Sequence, residues 1–210
     1  MQVEILGVLH GGRGIGHDMI LAQLHGTKPE YTGVVAGMSG SPVYIGNKLL
    51  GSLSYRIGQF SKDPIAGITP IAQMLEVRDL PVAPATLLAQ YPNSAGETSS
   101  HGSFNPADTN FQAMETPLVM SGFEPDAVKF WQQRMAGTSL EMVSAGGGGS
   151  SSKSGTQIST SALASVIPGS AVSAQLVRGD LEIAATCTVT YIGPKQLLAC
   201  GHPILQSGPI

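Results

Sequence analysis

Short apolar, β-branched runs, each closed by glycine, proline or asparagine, set the rhythm of this chain. Residues 3–9 are apolar enough for a buried strand ending at His10, and residues 19–24 form the next such run. Val34, Val35 and Ala36 lead into Gly37-Met38-Ser39-Gly40-Ser41-Pro42. Residues 42–45 lead out of that turn to Gly46-Asn47, a tight hairpin signal, and residues 49–55 return as a strand. Residues 65–71 read as a further strand, and residues 71–77 as a short helix that closes this block.

The pattern then changes. Residues 81–110 are rich in Pro, Ser, Ala, Gly and Asn with few aromatics and read as linker and surface loop, since they cannot bury enough to fold alone. Residues 116–123 look like a strand. Residues 124–135 hold the strongest helix signal: Glu124, Pro125 and Asp126 sit in the first turn, and Ala127, Phe130, Trp131, Arg134 and Met135 follow at helical spacing before Gly137. An aromatic pair at that spacing is expected in the core. Residues 146–155, nearly all Gly and Ser, read as a flexible tether. Beyond it, residues 168–172 turn into a strand at 173–178, Gly179-Asp180 reverses the direction, and residues 181–191 run back. Residues 188–192 and 196–200 are two strands around Gly193-Pro194-Lys195, and they deliver Gly201-His202-Pro203.

Composition narrows the class. Of the 210 residues, 42% are hydrophobic but only 12% charged, and 27 glycines and 14 prolines favour short strands and many turns over a helical bundle. A net charge of -3 with 11 Lys+Arg offers no basic stripe, so nucleic acid is not an expected partner. No run is long enough for a transmembrane helix. The reading is a mainly β protein with one or two short helices, in one structural domain: a β lobe at 1–78 with the serine turn, a Pro/Ser/Asn-rich loop at 79–115, a strand and helix at 116–143, a tether at 144–157 and a second β lobe at 158–210 with His202. An end at Ile210, so soon after His202, suggests a piece of a longer protein. Its oligomeric state is not readable.

Candidate chemistry concentrates in two turns. A serine between small residues, in a tight turn joining apolar β runs, places its hydroxyl clear of the backbone where neighbouring N–H groups can converge on an oxyanion. Ser39 is therefore the candidate nucleophile, in preference to Ser41, which sits too near Pro42. His202, between glycine and proline at a strand end, has the posture of a general base with an exposed ring. The Gly11-to-Gly16 stretch fits neither phosphate-loop spacing, so no nucleotide is expected. His10, His17 and His25 lie close in sequence, but without Cys or a well-spaced carboxylate partner they do not make a metal site, and no cofactor is expected. If the last hairpin turns about Gly193-Pro194, positions whose numbers sum to 387 face each other, which opposes Cys187 and Cys200. They are either a cross-strand disulfide or two buried thiols.

Together, G-M-S-G-S-P-V-Y-I-x-x-K-L-x-G at 37–51 and T-V-T-Y-I…L-A-C-G-H-P at 188–203 resemble the sporulation stage IV B peptidase family, serine peptidases of the chymotrypsin-like clan. The resemblance extends to residues 3–9, 64–71 and 168–172, about half of the sequence in blocks, and to a broader bacterial branch in which the serine motif precedes the histidine motif. It implies a two-lobed chymotrypsin-like β-barrel architecture and a serine endopeptidase cleaving or self-processing polypeptide through an acyl-enzyme. It places the oxyanion hole at the N–H groups of Gly37 and Ser39, the loop at 56–64 near the substrate groove, and the protein outside the cytoplasm. Relatives with a full triad carry an acid in the strand before the serine turn. That position falls at about His25 here, so the expectation is a Ser39/His202 dyad oriented by His25 or by backbone, with Asp18 a whole strand away. The alternative is a non-catalytic module of the same fold that binds peptide or protein by strand addition.

Overall fold

The computed structural model describes residues 1–57, 63–77, 111–136, 138, 140–145 and 166–204. The loop expected at 81–110, the tether at 146–155, Gly137 and residues 58–62 of the groove loop lie outside the described residues. Among the described residues the protein is mainly β, in two sheets, one of them a curled half-barrel, with three short helices where one or two were expected.

The first sheet holds β1 (Gln2–Leu9), β2 (Met19–His25), β3 (Pro42–Ile45), β4 (Lys48–Ile57), β5 (Ile65–Pro70) and β6 (Phe111–Ala113). Its order is β1-β2-β5-β4-β3, with β6 added beside the far end of β4, and every pairing is antiparallel. Two-residue alternation puts Ile20, Ala22 and Leu24 of β2 and Ala66 and Ile68 of β5 on one buried face with Val43, Leu53 and Met114. The expected buried strand at 3–9 is instead an edge strand: among the described residues β1 pairs only with β2, and Ile5, Leu6 and Val8 are exposed. Two helices belong to this half, α1 (Thr27–Thr32) and α2 (Ile71–Glu76).

The second sheet holds β7 (Thr116–Ser121), β8 (Leu140–Ser144), β9 (Ala171–Val177), β10 (Glu182–Ile192) and β11 (Leu197–Ala199), in the order β11-β10-β7-β8 with β9 beside β10. Helix α3 (Pro125–Arg134) crosses between β7 and β8, which are therefore parallel. Its Val128 and the following Met135 pack with Leu118, Met120, Met142 and Ala185. The expected core aromatics point elsewhere: Phe130 and Trp131 are exposed and stack edge-to-face on each other, centroids 5.9 Å apart. The sheet is covered by the small face that Val128 and Met135 share, seven residues and two turns apart, and the aromatics lie off it.

The last hairpin is out of the simple register. Gly193 N–H bonds the Gln196 carbonyl, Ile192 faces Leu197 and Val189 faces Ala199, with a bulge between Val189 and Tyr191. Cys187 and Cys200 are thus not directly opposed, yet they form a disulfide with Cα atoms 5.2 Å apart. The bulge and the longer turn displace the pairing that a two-residue centre at Gly193-Pro194 would impose.

Candidate active site

The turn at residues 37–41 is stitched to both sheets. Gly40 N–H donates to the Leu53 carbonyl and Leu53 N–H to the Ser41 carbonyl, tying the turn to β4. From β10, Thr188 N–H donates to the Ser39 carbonyl, Thr188 Oγ1 to the Gly37 carbonyl at 3.1 Å and Thr190 Oγ1 to the Gly40 carbonyl at 2.7 Å. Gly40, at φ 92°, has no room for a side chain, since a Cβ would collide with the Thr188 carbonyl.

The histidine arrives from the other side. After β11, Cys200 takes φ 77°, the one non-glycine residue with positive φ among the described residues, and the disulfide to β10 holds it there. The next peptide is fixed by Thr69 of β5, whose hydroxyl donates to the Gly201 carbonyl at 2.8 Å. Gly201 packs on the hydroxyls of Ser52 and Ser54, where a Cβ would not fit.

Ser39 and His202, 163 residues apart, meet with Oγ 2.6 Å from Nε2. The ring is buried rather than exposed, as is Ser39. His202 Nδ1 lies 3.0 Å from the Pro203 carbonyl, which can only accept, so the neutral ring carries its proton on Nδ1 and turns its Nε2 lone pair toward the serine. Burial pushes the His202 pKa down; the Pro203 carbonyl pulls it back up, and the nearby Arg13 charge lowers it further. The neutral form that can accept a proton is favoured. Ser39 Oγ has a second acceptor, the Cys200 carbonyl at 2.6 Å, which competes with the imidazole for its one proton. The N–H groups of Gly37 and Ser39 have no acceptor among the described residues. Beside the turn lies a cavity of about 650 Å³ between Val35, Ala36 and Arg56 on one side and Gln132, Met135 and Met142 on the other.

His25 is not the third member. Its Nε2 contacts Glu4 at 2.9 Å, across the β1–β2 pair. The β2–β5 register sets Ile20 opposite Ile68, hence Met19 level with Thr69 at the His202 loop, and His25 lies six residues farther along, about 20 Å away. Asp18 is instead at the near end of β2, the reverse of the expected placement, but its carboxylate accepts from Gly11 N–H and contacts His10, which hold its pKa down. The orienting partner of His202 is a backbone carbonyl. Nor do His10, His17 and His25 converge: they face Asp18, Glu76 and Glu4 respectively, and no cluster of metal-ligating side chains occurs among the described residues.

Sequence reasoning missed Arg13. Its Nε donates to the Tyr55 hydroxyl at 3.0 Å and its Nη1 to Gln73 Oε1 at 2.7 Å. A lone arginine among glycines was the available signal. No protein-family model, curated protein or solved structure matches this sequence.

Proposed function

We propose that this protein is a serine-type endopeptidase of the sporulation stage IV B kind, acting outside the cytoplasm on polypeptide through an acyl-enzyme. The observation that carries this reading is the buried Ser39–His202 contact at 2.6 Å with Nδ1 anchored on the Pro203 carbonyl. In this mechanism His202 Nε2 takes the Ser39 proton as Oγ attacks the scissile carbonyl. The N–H groups of Gly37 and Ser39, which have no acceptor among the described residues, receive the negative charge that develops on the carbonyl oxygen, and the imidazolium then protonates the leaving amine. Water enters, His202 takes its proton, and the acyl group leaves as a carboxylic acid. A carbonyl orients the ring but stabilises the imidazolium less than a carboxylate does, so turnover is modest. The Cys187–Cys200 bridge supports an oxidising compartment.

A second reading, a peptide-binding module without catalysis, is favoured by one feature: the Cys200 carbonyl competes for the serine proton. A fluorophosphonate probe separates them. The peptidase reading expects labelling that is abolished in Ser39→Ala, survives in Ser41→Ala and falls at least about a thousandfold in His202→Ala. No labelling of the folded protein, or an adduct on Ser41 by peptide mass spectrometry, overturns it.

A further inference from the structure

Thr69 and Gly67 are two residues apart on β5 and so share one face of the sheet. Thr69 holds the Gly201 carbonyl beside His202, while Gly67 is covered by Met19 and by the base of Tyr55. Arg13 lies over that Tyr55 ring, its guanidinium carbon 5.6 Å from the centroid. The Arg13 contact and the loop that carries His202 therefore rest on neighbouring positions of the same face, and the Arg13 charge opposes protonation of the imidazole. Tyr55 and Gln73, both neutral, fix the guanidinium through Nε and Nη1. Nη2 has no partner, and no carboxylate pairs with Arg13, among the described residues. The side chain is half-buried, so the charge is both anchored and reachable. Its own loop is braced by Arg13 N–H donating to the His17 carbonyl and by Asp18 holding Gly11.

A guanidinium held by two neutral acceptors, with one edge unpaired among the described residues and set on the sheet face that carries the His202 loop, is built to receive an anion by charge-assisted hydrogen bonds. We propose that Arg13 selects the substrate, binding a carboxylate of the polypeptide through its free Nη2 edge next to the Ser39–His202 pair. This rests on the peptidase reading above. The carboxylate is supplied either by an acidic side chain or by the free carboxyl end of the polypeptide, and the two are separable.

The test is protection from fluorophosphonate labelling by three competitors: acetyl-Ala-Glu-Ala-Ala-amide, acetyl-Ala-Gln-Ala-Ala-amide, and acetyl-Ala-Gln-Ala-Ala with a free terminal carboxylate. One of the two anionic peptides protects at about tenfold lower concentration than the neutral one, and which one does so names the source. The preference shrinks with added salt and in Arg13→Gln, and Arg13→Lys, which keeps the charge but loses the fork, retains part of it. Should Arg13→Gln fail to fold by circular dichroism, the salt dependence and Arg13→Lys carry the test. Labelling of the wild-type protein with equal protection by all three peptides overturns this proposal and leaves the peptidase reading standing. Absence of labelling overturns both.

Discussion

The proton on His202 decides what Ser39 can do. Burial and the Arg13 charge both oppose the imidazolium, so the ring stays neutral to lower pH than an ordinary histidine at about 6.5. The acid limb of the labelling rate is therefore expected below that value, and Arg13→Gln, which removes one of the two opposing influences, shifts it upward. A limb at or above 6.5 in the wild-type protein would contradict the assignment of His202 as a buried base. Stability follows with the same sign. Because the folded state resists charging, the unfolded state binds the proton first as pH falls through the ordinary histidine value, and the contribution of the neutral ring is lost between that value and the lower folded one. His25, bonded to Glu4 at the other end of its strand, has no share in this, and His25→Ala leaves both the labelling rate and its pH midpoint unchanged. Ser39 and His202 were legible from sequence because small residues and proline around a polar side chain are local information. Orientation by backbone was one of the two expectations for His202, and the Pro203 carbonyl meets it; that His25 takes no part depends on the β2–β5 register, a long-range property that no spacing encodes.

Two elements hold Ser39 and His202 in place. The serine turn depends on Gly40, whose φ of 92° and contact with the Thr188 carbonyl both exclude a side chain. Gly40→Ala is expected to cost on the order of 3 kcal/mol in urea unfolding and to abolish labelling even where the protein still folds. The histidine loop depends on the bridge that closes the β10–β11 hairpin. Replacing both cysteines with serine reopens a loop of 13 residues' separation, a loss of about 3 kcal/mol by loop entropy, and frees Cys200 from its left-handed conformation. Labelling falls with it, and an unchanged rate in the double variant would show that Thr69 and the glycine packing suffice. The pairing of these cysteines could be anticipated although the register used for it was wrong: a bulge and a four-residue turn move the strands, but two thiols flanking one hairpin stay within reach. Helix α1 and strand β8 left no such trace. The first is six residues long without a side-chain cap, and the second pairs in parallel across an intervening helix.

At the scale of the molecule, the site belongs to neither sheet. Each sheet has its own apolar core, one around Leu53 and Ile68 and one around Leu118 and Met142, and the two meet through polar contacts at the serine turn. Two β blocks carrying one residue each were visible in the sequence. The contacts that align them were not, because Thr69, Thr188 and Thr190 are ordinary strand threonines until the sheets are brought together. Thr69 is the most informative of these, as its hydroxyl bonds the Gly201 carbonyl rather than Ser39 or the His202 ring. Thr69→Val keeps the shape but leaves the buried Gly201 carbonyl unpaired, at a cost of about 1–3 kcal/mol. If Thr69 only stabilises the fold, labelling of the remaining folded protein is unaltered. If it sets the distance between Ser39 and His202, the folded fraction labels up to about a hundredfold more slowly, since small misplacements of a base are amplified in rate. Thr69→Ser restores the hydrogen bond and is expected to restore the rate with it, an outcome that lost packing alone would not produce.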